Sequence, residues 1–185
     1  MTEQELHTVR DGISADPFSE HLNQQIYEHF PLPAEARQLI DFYRQLQRSH
    51  TADWRHLVNL ARAYSATGKD SLAVVQLQKL LRTDSSLLEV WMDLASCYQR
   101  LKKTELALRA LNSAIDIEPA FEKAHLHRAK LLVETEEYQE AAAAVVFSLS
   151  SDQLSQPVVD WLEELDEFLE SQLEPPKELL ESAPA

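Results

Sequence analysis

The chain has few glycines and a single cysteine, and both shortages exclude whole classes of site. Its 185 residues include only Gly12 and Gly68, so no glycine-rich loop can cradle a phosphate. The same shortage argues against an all-β fold of many tight turns. The lone cysteine, Cys97, permits neither an internal disulfide nor a cluster of thiolate ligands, and it is compatible with a reducing compartment.

Long apolar runs are also missing. The longest uncharged stretch, residues 141–151, is too short to span a bilayer, and residues 1–11 lack the apolar segment of a signal peptide. We therefore expect a soluble cytoplasmic protein. With 44% apolar and 26% charged residues, the chain can still bury a core, and its length is typical of one domain.

No set of residues has the spacing of a catalytic or metal site. His125 and His127 are two residues apart, so on a helix they point in different directions, and no HExxH motif is present. Cys97 has no apparent basic partner, which favours a packed small apolar side chain over a nucleophile. We predict a protein that is not an enzyme, with no catalytic residue, no metal and no cofactor.

Negative charge is concentrated at the two ends of the chain. The formal net charge is −14, of which residues 1–30 contribute −5, residues 152–185 contribute −9 and residues 31–151 contribute zero. An acidic envelope repels phosphate backbones, which argues against nucleic-acid binding. The simplest interpretation is that acidic ends keep an apolar-faced body in solution.

The middle of the chain repeats with a period of 34 residues, which defines three units: 54–87, 88–121 and 122–155. In each unit apolar residues recur at intervals of three and four, first in one segment and then in a second, which predicts two helices. Small side chains at fixed positions let those helices approach closely. The alanine pairs that mark the period are Ala61 with Ala73, Ala95 with Ala107, and Ala129 with Ala141.

This pattern resembles the tetratricopeptide repeat family. The second unit matches closely, from Trp91 through Pro119, and the first unit matches well. The third departs more, because His125, Arg128 and Gln153 replace an apolar residue, a leucine and a proline. The resemblance covers residues 54–155 and implies an all-α fold, a right-handed superhelix of antiparallel helix pairs.

The segments outside the three units have their own patterns. Residues 1–19 are expected to be a flexible acidic N-terminus. Residues 20–53 form an N-terminal helical segment, with a helix from Pro33 and in-phase apolar residues that a degenerate repeat would explain. Residues 156–173 predict an amphipathic capping helix, and residues 174–185 a disordered acidic tail.

The resemblance also implies a function. In this family the first helices of the units line a concave groove that holds a peptide, so we expect a non-catalytic protein-binding module: an adaptor, an assembly factor or a chaperone-like protein. Counted with Glu89 and Glu134, the groove positions have a net charge of +2, which favours an acidic peptide. These positions carry Arg55, Val58, Asn59, Arg62, Met92, Asp93, Ser96, Arg100, Lys123, Leu126, His127 and Lys130.

One subclass of the family grips the terminal carboxylate of heat-shock chaperones through five polar or basic side chains. Only Lys123 matches that set, and Asp93 would repel a carboxylate. A carboxylate clamp is therefore disfavoured. The five positions would fall on Val58, Arg62, Asp93, Lys123 and His127.

Three further hypotheses stay open. Size, charge and repeat number fit a dedicated secretion chaperone. A self-associating scaffold would form a homodimer through the C-terminal helix, with Trp161 and Phe168 as its patch. In the third hypothesis, the acidic C-terminus occupies the groove of its own chain.

Overall fold

The computed structural model describes residues 2–17, 19–29, 33–49, 54–150 and 154–173. Within those ranges the chain forms ten helices and no strand, which confirms the predicted all-α class. The helices are α1 (Glu3–Ala15), α2 (Glu20–Glu28), α3 (Pro33–Ser49), α4 (Trp54–Ala66), α5 (Asp70–Thr83), α6 (Leu88–Arg100), α7 (Thr104–Ile117), α8 (Glu122–Glu134), α9 (Tyr138–Leu149) and α10 (Gln156–Leu173).

The 34-residue period is visible in the backbone as well as in the sequence. Each repeat places one turn residue in the left-handed region, with φ of 73° at Gly68, 58° at Lys102 and 60° at Glu136. The amide of the following residue donates to a carbonyl five residues back, which closes the end of the preceding helix. These bonds run from Lys69 to Tyr64 at 2.8 Å, from Lys103 to Tyr98 at 2.9 Å and from Glu137 to Leu132 at 3.0 Å.

The alanines that mark the period are buried, as the repeat requires. Each of the six is at most 1% exposed. A methyl group at these positions leaves room for a second helix, whereas a larger side chain would push the pair apart.

The chain divides into two compact units, Met1–Lys103 and Thr104–Ala185, and the division falls within the 88–121 repeat. In the first of these, unit 1, α2 and α3 both pack against α4, just as α4 and α5 both pack against α6. The interpretation of 20–53 as a degenerate repeat stays a prediction.

The N-terminus is helical, so the expectation of a flexible segment over 1–19 was wrong. Helix α1 packs against α2 and α3. Its start is fixed by a capping box, in which the Thr2 side chain accepts from the Glu5 amide and the Glu5 carboxylate accepts from the Thr2 amide. The buried side chains of α1 are Leu6, Val9 and Ile13.

In the second unit, unit 2, α7 packs on α8, α8 on α9, and α9 on α10. Helix α10 has one buried and one exposed side, because Leu162 and Leu169 are fully buried while Glu163 and Glu167 are exposed. The predicted tail, 174–185, lies outside the described residues.

Candidate functional site

A groove of about 650 Å³ in unit 1 opens along α4 and α6. It brings together Arg62, Asp93, Ser96 and Arg100, four of the residues that the sequence assigned to a binding surface. The remaining lining residues are Glu28 of α2, Ala61, Ser65 and Ala66 of α4, Leu77 of α5, and Cys97 of α6.

One ion pair spans the groove between its two main helices. The Nε atom of Arg62 on α4 donates to Oδ2 of Asp93 on α6 at 2.7 Å, and the two side chains are 22% and 25% exposed. Burial raises the pKa of the Asp93 carboxyl, and the Arg62 guanidinium offsets this effect only in part. The Arg62 guanidinium thus favours the charged form of Asp93 against the effect of burial.

A second ion pair lies at the end of α6. The Nε atom of Arg100 donates to Oδ1 of Asp70 at 2.8 Å, and its Nη2 atom donates to Oγ of Ser65. The Ser65 hydroxyl in turn donates to the same Asp70 oxygen at 2.9 Å. This network fixes the last turn of α6 to the α4–α5 turn, although the Arg100 side chain is still 47% exposed.

Cys97 lies at the base of the groove and has a basic neighbour after all. Arg100 Nη2 lies 3.4 Å from its sulfur, so the expectation that no basic partner is near was wrong. Burial nevertheless raises the pKa of the Cys97 thiol to about 11, and Arg100 opposes that shift only in part. The conclusion that Cys97 is a packed small residue rather than a nucleophile is therefore supported.

The predicted basic trough is largely neutralised in unit 1. Arg62 is paired with Asp93, and Arg100 is paired with Asp70. The sequence analysis missed Asp70, which belongs to the first turn of α5 rather than to a groove-facing position. The sequence did contain a signal for this pair. The repeat brings the first turn of one unit's second helix close to the last turn of the next unit's first helix. Here those turns carry Asp70 and Arg100, which have opposite charges.

Val58 and Asn59 do not line an open surface, contrary to the sequence prediction. Both are fully buried, because α2 packs against α4. The Asn59 amide donates to the hydroxyl of Tyr43 at 2.9 Å and to the Asn23 carbonyl at 3.3 Å. Asn59 is therefore a structural side chain that joins α4 to α2 and α3.

The other predicted residues are not among those that line this groove. The guanidinium of Arg55 stacks on the Trp54 ring, with 4.7 Å from Cζ to the ring centroid, and Met92 is half-buried on α6. Helix α8 of unit 2 carries the remaining four. Lys123 and Lys130 are exposed, Leu126 packs against the unit 2 core, and half-buried His127 has a pKa lowered by that burial.

Two features of the described ranges bear on other classes of function. Within them, no group of three or more histidine, cysteine or acidic side chains is arranged to hold a metal ion. No helix there is long and apolar enough to cross a membrane. The cytoplasmic location stays a prediction.

The packed helix pairs define a helical-repeat protein. Residues 88–121 match the tetratricopeptide repeat family model, with the boundaries that the sequence period predicts. This confirms the resemblance: the chain carries a tetratricopeptide repeat at 88–121, within a tetratricopeptide repeat fold. No curated protein sequence matches the chain.

Several solved structures share this fold at low sequence identity. MamA (AMB-1) is 16% identical with a TM-score of 0.62, covering 93% of this chain and 84% of that chain. The thermophilic protein TTC0263 of Thermus thermophilus is 20% identical with a TM-score of 0.56, covering 80% of each chain. The Yersinia enterocolitica type III secretion chaperone SycD, in complex with a peptide of the translocator YopD, is 19% identical with a TM-score of 0.53, covering 64% of this chain and 92% of that chain.

Proposed function

We propose that the protein is a non-catalytic interaction module whose unit 1 groove binds an extended segment of a partner protein. One observation carries this proposal: Arg62, Asp93, Ser96 and Arg100 project from two neighbouring helices into a single groove of about 650 Å³. Because both helices are held by packing and by ion pairs, the groove is preformed, and the partner contributes most of the ordering cost.

The groove offers hydrogen-bond donors and acceptors close together. Guanidinium groups and the Ser96 hydroxyl donate, and the Asp93 carboxylate accepts. An extended peptide presents both N–H and C=O groups along its backbone, so it can use both kinds of partner. The buried Ala61 and Leu77 side chains give the groove an apolar floor for a small side chain.

The ion pairs change the expected charge of the ligand. An acidic segment would have to compete with Asp93 for Arg62 and with Asp70 for Arg100. The charge count that favoured an acidic peptide therefore loses its support in unit 1. A segment of mixed polarity, read mainly through its backbone, fits the groove better.

The solved neighbours support a peptide as the ligand class. SycD shares the fold and is described in complex with a peptide of the translocator YopD, so a fold of this kind can hold a peptide. The raised pKa of Cys97 fits a binding role better than nucleophilic catalysis.

The test fills the groove without removing its ion pairs. A library of displayed random peptides is selected on the wild-type protein, and the Kd of the recovered peptides is measured by fluorescence anisotropy. Ser96→Tyr places a ring in the groove and should weaken binding at least about tenfold, which corresponds to about 1.4 kcal/mol.

A matched variant controls for the added tyrosine. Ser14 is exposed on α1 and does not line the groove, so Ser14→Tyr should leave the Kd unchanged. If Ser96→Tyr binds the selected peptides as well as wild type does, the unit 1 groove is not the binding site.

A further inference from the structure

A second depression in unit 1, of about 400 Å³, lies between α3 and the start of α5. Its floor is apolar, formed by the buried Ile40 and Tyr64. Leu72 on its wall is 47% exposed, and Val75, one turn further along α5, is 56% exposed. The charged side chains that surround the depression are Arg37, Asp41, Arg44 and Lys69.

We call this surface the α3–α5 face and define it by Arg37, Arg44, Lys69, Leu72, Val75 and the exposed Lys79. It combines exposed apolar side chains with basic ones, and these bases outnumber Asp41. The acidic residue of α5, Asp70, is bound to Arg100 and does not neutralise the face. An apolar patch with a mainly basic rim, on a chain with a net charge of −14, is typical of an interaction surface.

Unit 2 carries a surface of complementary character on the outer side of α10. The 18 residues of α10 include six acidic residues and no basic residue. Phe168 is 46% exposed and stands one turn after the exposed Glu164 and next to the exposed Glu167. The outer side of α10 is thus an aromatic side chain surrounded by carboxylates.

We infer that this chain self-associates head to tail, with the outer side of α10 from one copy docked on the α3–α5 face of a second copy. Phe168 packs against Leu72 and Val75, and the flanking glutamates pair with Arg37 and Arg44. Burial of exposed apolar side chains supplies affinity, and charge complementarity sets the orientation.

The helices α10 and α3, which carry the acidic surface and part of the basic face, are similar in length. Helix α10 has 18 residues and α3 has 17, which correspond to lengths of about 27 Å and about 26 Å. Since the two surfaces differ, the contact is heterologous, and the dimer keeps one free surface of each kind, the α3–α5 face on one copy and the outer side of α10 on the other. Assembly therefore continues beyond a dimer unless the copies close a ring.

This contact differs from the symmetric homodimer that the sequence suggested. That hypothesis used Trp161 together with Phe168 as one patch. Trp161 is partly buried and packs against the unit 2 core, whereas Phe168 is 46% exposed, so the contact inferred here uses Phe168 without Trp161. The docking contact also uses side chains that do not line the unit 1 groove. Experiments can therefore contradict the self-association proposal without contradicting the proposal that the groove binds a peptide.

The experiment is sedimentation velocity on the full chain, from about 1 µM to about 1 mM protein. Variant one carries Arg37→Glu and Arg44→Glu, and variant two carries Glu164→Lys and Glu167→Lys. We expect wild type to show larger species as concentration rises, and each variant alone to need at least about tenfold more protein. An equimolar mixture of the two variants should associate again, because each offers the other a complementary surface.

The variants are chosen so that they fold. All four positions are exposed. Glu164→Lys places a lysine one turn from Asp160, and Glu167→Lys places one a turn from Glu163, so both create favourable pairs within α10. Far-ultraviolet circular dichroism should show wild-type helicity in both variants.

A matched control separates this contact from a general charge effect. Lys103→Glu with Arg109→Glu makes the same charge change as variant one at exposed positions outside the α3–α5 face, and it should associate like wild type. A wild-type protein that stays monomeric overturns the proposal. So does a mixture of the two variants that stays monomeric, and so does a variant one that associates like wild type, which would indicate a symmetric contact through α10.

Discussion

Left-handed turn residues recur once in each 34-residue repeat, but only one of the three is glycine. Gly68 has no side chain to strain, whereas Lys102 and Glu136 hold similar φ angles with a Cβ atom present. In all three repeats the backbone hydrogen bonds at the end of the preceding helix stabilise this conformation. The repeat therefore imposes the left-handed turn conformation, and the residue type at that position changes only the free-energy cost of adopting it.

Gly68→Ala should lower the free energy of unfolding by about 1 kcal/mol, because alanine is strained at positive φ. An added Cβ would meet no atom within 4 Å, so the loss is conformational rather than steric. Urea unfolding followed by circular dichroism measures it. Lys102→Gly compared with Lys102→Ala should show a difference of similar size with glycine the more stable, and equal stabilities would contradict the explanation.

Cys97 should resist alkylation in the folded chain. Its pKa is raised from 9.0 to about 11, which lowers the thiolate fraction at neutral pH about 100-fold, and the thiolate is the reactive form. Iodoacetamide labelling followed by mass spectrometry should be at least that much slower in buffer than in concentrated urea. Equal rates in the two conditions would show that the thiol is accessible and ionised.

His125 occupies a position where the repeat pattern calls for an apolar residue, and the structure supplies polar partners for it. Its Nε2 atom lies 2.9 Å from the Pro119 carbonyl oxygen, and its Nδ1 atom lies 2.7 Å from Oγ of Ser148 on α9. Arg128 donates to the same Ser148 oxygen at 3.2 Å and to the Ala144 carbonyl at 3.0 Å. Two of the residues that depart from the family pattern, His125 and Arg128, therefore form one polar network between α8 and α9.

This network makes the stability of unit 2 depend on pH. Burial lowers the pKa of His125 below its ordinary value of 6.5, so the unfolded chain takes up a proton at a higher pH than the folded chain does. Stability is therefore full above 6.5 and falls as the pH drops through the window below it. His125→Gln keeps a donor and an acceptor but does not titrate, so urea unfolding at several pH values should show less acid destabilisation than in wild type. Identical pH dependence would exclude His125 as the cause.

Helix α1 contributes to the core of unit 1, although its composition resembles that of a solvated tail. Ile13→Ala should lower the free energy of unfolding by about 2–4 kcal/mol, because the Ile13 side chain is fully buried and its loss leaves a cavity. Thermal or urea unfolding measures this change. Ser14→Ala, at the exposed neighbouring position, is the control and should stay within about 0.5 kcal/mol of wild type. A similar small effect for both would mean that α1 does not pack in solution.

The helices that could be predicted are those with a long or repeated signal. Six alanines in register were enough to predict the helix pairs of the three repeats, and α10 follows from 18 residues with one apolar side. Helix α1 was missed because its three buried residues stand among polar and acidic ones over only 13 positions.

The candidate site could be predicted only in part, because a repeat register assigns positions and not partners. It assigned Arg62 and Arg100 to a groove, and both line the unit 1 groove, but it gave no measure of their pairing. That Asp93 and Asp70 neutralise them depends on side-chain geometry between elements. Asn59 stands at a groove position too, yet α2 packs against α4 and buries it.

The boundary between the two compact units of the chain does not coincide with a boundary of the 34-residue sequence period. The division between its two compact units falls after Lys103, inside the best-matching repeat, whereas the period gives boundaries at residues 87 and 121. Charge is also uneven between the units, since the exposed bases of α3 and α5 lie in unit 1 and the acidic helix α10 lies in unit 2. A copy of this chain therefore carries surfaces of opposite sign on different units.

The ion pair between Arg62 and Asp93 has a bearing on how selective the groove is. A ligand carboxylate that displaces Asp93 from the Arg62 guanidinium replaces one ion pair with a similar one. It gains only the difference in free energy between the two ion pairs. Electrostatic attraction thus discriminates poorly among peptide ligands, and the shape of the groove determines which sequence binds. For the peptide binding proposed above, the affinity gained from charge is therefore modest, and a bound segment is expected to exchange quickly.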